Sequence, residues 1–327
     1  MINKKNKLGV FIVPTGIGAG IGGYAGDAAA IAREFSQHAT IIVNPNVVNA
    51  GCFSGINDKM LYVEGYTLDE FILGNINLKQ VKIPNKIGIV FDKAIPADVL
   101  NIHINTINAV KVVYGINIGE YEITSKPIGI DFSLDKSGIS DGSVKNPETI
   151  LEASEKLIKK GCNAIGIVGM FDDPEELNEN YLNGVGTDPV GGVEAILSHY
   201  ISKYLRVPCA HSPAFRDYQI YPDMVNPKSA AEYITPTFLP CILLGLANAP
   251  QPSASGGISV KDVDFLVMPY DCLGSPAIFG AIKFGVKVFV IKENRTALNV
   301  TAKSLGITEK VTVVDTYSDC LDLIKTL

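Results

Sequence analysis

Three groups of residues in this chain have types and spacings that could do chemistry. The first is TGIGAGIGGYAGD, where Gly16, Gly18, Gly20, Gly22 and Gly23 separate an apolar run from an Ala-rich one, with Thr15 and Asp27 at either end. Between a strand and a helix, glycines leave backbone amides bare at a helix start, where an anionic group can be held. The competing account is a turn that only lets helix and sheet pack closely. The run does not match GxxxxGK[ST], which excludes a nucleoside-triphosphate loop. Asn44-Pro45-Asn46 stands where a dinucleotide fold would place a ribose-binding acid.

The second group is Asn44, Asn46 and Asn49, followed by Cys52. Neutral amides recognise carboxylate, amide or hydroxyl groups through paired donors and acceptors; equally, Asn and Pro form turns. The third group is thiol, imidazole and carboxylate. Cys209 and His211 lie two apart in VPCAHSPAF, after His199, and could act as nucleophile and base. Flanking Pro208 and Pro213 predict a loop there, and the spacing does not fit a structural zinc site. In YDCLGSPAIFGA, Ser275 is a natural N-cap with Pro276 at the first helical position. A thiol just before a helix start is electrostatically favoured as thiolate, which makes Cys272, beside Asp271, the strongest nucleophile candidate. Glu293, Asn294 and Arg295 add a polar cluster after VFVI, and Asp131, Asp135 and Asp141 form an acidic segment whose spacing is not that of an EF-hand. No metal or cofactor is assigned from these patterns.

Positioning such residues requires strands that deliver them to one edge. LGVFIV, an Ala-rich helical stretch over 24–35 and TIIV form one β-α-β unit; 86–91, 97–114 and 120–124 form a second; a helix over 148–160 and a strand over 164–168 continue the series. The segment 172–260 is turn-rich around a helix over 189–204 capped by Asp188, and 251–259 is expected as an exposed loop. From 262 onward, strands at 265–268, 286–291 and 311–314 alternate with helices at 276–284, 297–305 and 318–324. The expectation is an α/β protein with mostly parallel, Rossmann-like doubly wound sheets in two lobes, divided at 1–145 and 146–327. Ligands of such sheets sit beyond the strands' carboxyl ends, which selects the loops 14–26, 44–51, 268–274 and 292–295.

The 327 residues are 47% hydrophobic and 19% charged, with a formal charge of −6. That suits buried parallel strands and argues against nucleic acid, whose binders concentrate Lys and Arg. Lys4, Lys5 and Lys7 before 8–13 imitate a secretory leader, but Pro14 and the glycines interrupt the apolar stretch. A cytoplasmic protein with six reduced cysteines and no membrane span is therefore expected, with self-association left open.

Taken together, IVPTGIGAGIGGYAGD, NPNVVNAG, LYVEGYTLDEF, VPCAHSPAF, PYDCLGSPA and VFVIKENRT resemble the DUF3326 family over essentially the whole chain. The resemblance implies a compact stand-alone protein and supplies no reaction. On the residues alone, the leading expectation is a small-molecule enzyme of lyase, isomerase or hydrolase type. It would bind an anionic metabolite at the Gly-rich loop and use His211, Cys209, Cys272 and Asp271 for acid–base or thiol chemistry. A non-catalytic metabolite sensor and an NAD(P)-dependent oxidoreductase are the alternatives.

Overall fold

The computed structural model describes residues 7–172 and 181–327. Its strands are β1 (Lys7–Phe11), β2 (Ala39–Val43), β3 (Asn49–Ala50), β4 (Phe53–Ser54), β5 (Met60–Tyr62), β6 (Asn77–Lys79), β7 (Ile87–Phe91), β8 (Ile118–Ile123), β9 (Ile130–Leu134), β10 (Ser140–Val144), β11 (Ala164–Met170), β12 (Cys209–Ala214), β13 (Gln251–Ser253), β14 (Phe265–Pro269), β15 (Lys287–Ile291) and β16 (Thr312–Val314).

Two parallel sheets carry the fold. One has six strands in the order β16-β15-β14-β1-β2-β5, the other four in the order β12-β11-β7-β8. The runs LGVF, IIV and FLVM are apolar throughout because helices cover both faces of a parallel sheet. β1 lies between β2 and β14, so the chain leaves it on one side and returns on the other. This is the topological switch point, and the crevice beyond the carboxyl ends there is where such sheets bind ligands. The α/β, Rossmann-like expectation is met.

The division at 145/146 does not follow sheet membership. Residues 7–62 and 265–314 build the six-stranded sheet together, while 87–214 supply the four-stranded one. The first lobe is thus discontinuous, closed by pairing between the two ends of the chain. Four local readings also change. VPCAHSPAF is not a loop: Cys209–Ala214 is β12, and Pro213 is tolerated because β12 is an edge strand. The acidic segment is the β9–β10 hairpin, where Asp135 accepts hydrogen bonds from Ser137 and Ile139. Part of the expected loop at 251–259 pairs with β6 as β13. No helix forms over 297–305, where Val300 instead bridges Cys272.

Candidate functional site

The glycine loop begins at the end of β1 and continues to the helix Ala29–Ser36, five residues later than its sequence suggests. It is not an open anion cradle. The Gly20 amide donates to the Arg295 carbonyl, Ile21 to Asn294 Oδ1, and Gly22 and Tyr24 to Asp27 Oδ1 at 2.7 and 3.4 Å. The Ala25 amide donates to Glu232 Oε1 at 2.7 Å. These amides are therefore spent on the protein's own acceptors, and two of those acceptors are carboxyl groups. Gly16 and Gly18 lie against Gly192 and Thr187, and neither they nor Gly20, Gly22 and Asp27 border the cavity described next.

That cavity, of about 750 Å³, lies at the switch point and falls in the size range of small-molecule sites. The residues that follow β1, β2, β5 and β14 form one wall, and the helix Gly191–Leu205 with β12 forms the other. Thr15, Gly23, Asn44, Asn46, Asn49, Ser275 and His211 all reach it. Asn44 pairs with both backbone groups of Val13, and Asn46 Nδ2 donates to Val13, Pro14 and Gly22 carbonyls. Asn49 bonds the Tyr62 hydroxyl. These amides brace the loop as well as line the space.

His211 projects from β12 with Nδ1 2.9 Å from Ser198 Oγ and Nε2 3.7 Å from Glu194 Oε2. Glu194 and Ser198 are one turn apart on the facing helix, which points both at the same ring. Burial pushes His211 down to about 3 and Glu194 well above the carboxylate range, so the contact joins a neutral acid to a neutral imidazole rather than two ions. Glu194 Oε1 is buried without a hydrogen-bond partner. Nearby, Glu64 caps the helix Gly65–Ile72 and holds His199 Nε2 at 3.0 Å. Glu232 accepts from the Tyr181 hydroxyl at 2.9 Å and is pushed up to about 8 by burial and by Asp188. Asp188 accepts from the Val190 and Gly191 amides just ahead of the helix, which starts two residues later than expected with Val190 rather than Asp188 as its N-cap, and burial raises it too.

These raised carboxyls make stability depend on pH. A folded carboxyl above its ordinary pKa binds more protons than the unfolded chain, so stability falls as pH rises through that interval. His211 acts oppositely, but only between about 3 and its ordinary 6.5. From pH 6.5 to 8 the carboxyls stand alone, and thermal stability is expected to decline, by at most about 1.4 kcal/mol per pH unit for each group. Glu232→Gln should flatten the decline; a wild-type Tm that is level or rising over this window refutes the buried carboxyls.

The other chemical candidates do not line the cavity. Cys272 is buried, and burial and Asp271 raise its thiol far above the ordinary range, overriding any help from the helix at Pro276–Phe284. Asp271 accepts from Arg295 Nε at 2.6 Å and the Thr296 amide at 2.7 Å, away from the cavity. Glu293 Oε1 accepts from the Tyr317 amide, and Asn294 Nδ2 donates to Ile21 and Tyr317. Together with Arg295 these staple the loop from its outer side. Cys209 shares a strand face with His211, but it is buried with its thiol raised. All six cysteines are free, and only Cys52 is partly exposed. With limiting iodoacetamide on folded protein, Cys52 should label first, ahead of the others by more than about tenfold, the order peptide mapping reads.

Glu64, Asp69, Asp188, Glu194, Ser198 and Glu232 also line the cavity and were not legible as a motif. One signal was present: Glu194 and Ser198 stand four apart, a carboxyl and a hydroxyl on one face of one helix.

A family model described as a protein of unknown function (DUF3326) matches residues 8–327. An uncharacterised lipoprotein of Synechococcus sp. is 36% identical over 306 residues, covering 91% of this chain and 85% of the relative. No solved structure matches. The relative's designation overturns the expected cytoplasmic location, and with it the compartment argument for reduced thiols. Among the described residues no helix is long and apolar enough to cross a membrane.

Proposed function

The chain belongs to the DUF3326 family, and from that premise we propose that it is a small-molecule enzyme of the isomerase or lyase type, in which Glu194 and His211 move protons on a substrate held in the switch-point cavity. The observation that supports this most is the unpartnered Oε1 of Glu194. A buried polar atom without a partner costs about 1–3 kcal/mol, and its residue lines the cavity beside an imidazole whose other nitrogen is fixed by Ser198. His211 Nε2, uncharged, is the base that takes a proton from the substrate. Glu194, protonated, returns one to another substrate atom. The interval between them then holds an imidazolium and a carboxylate 3.7 Å apart, which proton return neutralises. At that separation the two atoms stand side by side, so a substrate atom or one water lying against both can relay the proton. Thiol chemistry is not part of this reading, because Cys272 and Cys209 are buried and burial raises both thiols.

Incubating the protein with pooled metabolites and following depletion by mass spectrometry tests this. At least one compound should be consumed or isomerised by wild type and not by Glu194→Gln. The lipoprotein designation of the relative favours a second reading, a binding protein that presents the same cavity at a membrane surface. A compound retained by wild type without turnover selects it.

A further inference from the structure

Resting on that reading of the cavity, we infer that its ligand is a cation: a small organic amine whose ammonium group sits between the carboxyls of Glu232 and Asp188 and the rings of Tyr181 and Tyr233. Among the described residues the walls carry six carboxyl side chains, those named above and Asp217, and no Lys or Arg. An anion entering this space would gain no opposite charge, whereas an ammonium group would find a partner for each carboxyl it let ionise.

Aromatic rings supply the second argument. Tyr181 stacks on Tyr24 with centroids 4.5 Å apart, and Tyr221 meets Tyr233 edge-on at 5.9 Å. Tyr181, Tyr221 and Tyr233 all line the cavity. Carboxyls framed by ring faces are the chemistry that recognises ammonium groups, which bind within about 6 Å of a ring centroid. The protein already does this once on the far side of the stack, where Lys228 Nζ lies 5.8 Å from the Tyr24 ring. Three acceptors are left over as well. Thr235 Oγ1, in a residue only 8% exposed, Glu194 Oε1 and Ser275 Oγ all lack partners and all belong to cavity residues. Each can accept an ammonium N–H. Neutral polyols would use the same acceptors but would leave the ring faces without a role.

Calorimetry on the full chain with 1,4-diaminobutane, succinate and erythritol, three probes of matched length, separates the classes. The diamine should bind and the other two should not, with affinity reduced at least about tenfold in Glu232→Gln. Tyr233→Phe should keep the affinity and Tyr233→Leu should lose several-fold, with circular dichroism confirming that each variant is folded. Failure of the diamine to bind, equal binding of succinate or erythritol, or an unchanged Glu232→Gln overturns the inference. The acid–base reading fails separately: diamine binding that persists alongside turnover unaffected by Glu194→Gln removes the catalytic pair and leaves the amine site standing.

Discussion

His211→Asn is expected to lower the turnover of whichever compound the cavity consumes by about 10²–10⁴-fold, the usual contribution of a positioned general base. The expectation rests on geometry first. His211 Nε2 faces Glu194 and the cavity, and Nδ1 is tied to Ser198 at 2.9 Å, so the ring presents one nitrogen to the substrate. Asparagine keeps the polarity but has no lone pair basic enough to take a proton. Glu194→Gln should cause a comparable loss in kcat, because it preserves shape and removes the acid. Ser198→Ala should cost less, about tenfold, since that hydroxyl touches the ring and not the substrate. Its signature is a changed pH profile, because freeing Nδ1 alters how strongly burial keeps the ring neutral. Substrate affinity should change little in all three, so the effect appears in kcat rather than KM. Turnover that survives His211→Asn at the wild-type level removes His211 from the mechanism.

The scaffold was more legible than the site, and the reason is physical. Strands buried on both faces write themselves as unbroken apolar runs, so β1, β2, β14 and β15 could be placed, and the loops at their carboxyl ends followed from the topology of parallel sheets. Thr15, Gly23, Asn44, Asn46, Asn49, Ser275 and His211 reach the cavity for that reason. The glycine loop misled because its pattern reports only that bare amides exist, not what they bond; Asp27 and Glu232 had already taken them. Cys272 misled because a helix start and a buried environment act oppositely on a thiol, and burial is not written next to the residue. Glu64, Glu194 and Glu232 stand in unrelated segments, 130 and 38 residues apart along the chain. They meet only because the chain's two ends close one sheet around a middle segment that builds the other.

Gly22→Val is expected to destabilise the protein by about 3 kcal/mol or more, while Gly20→Ala stays within about 0.5 kcal/mol of wild type. Gly22 sits at φ +88°, where a β-branched side chain is strained, and a Cβ there would approach Val13 Cγ1 to 2.7 Å. Val13 is fully buried at the end of β1, so it has no room to yield. The backbone at Gly22 is also committed on both sides: its amide donates to Asp27 and its carbonyl accepts from Asn46, each at 2.7 Å. At Gly20 the backbone is ordinary and the nearest atom to a new Cβ is 3.7 Å away. A fall in Tm of roughly 6 °C or more for Gly22→Val is the corresponding thermal shift. Diamine binding should weaken with it, because Asn46 and Gly23 would lose their register beside Glu232. An anion cradle makes the opposite forecast. In that case both substitutions would abolish ligand binding in a protein of unchanged stability, since amides at 20 and 22 would face the ligand and not the fold. Differential scanning fluorimetry of the two variants, followed by calorimetry with 1,4-diaminobutane on each, decides between a loop that holds a ligand and a loop that holds the wall of the site.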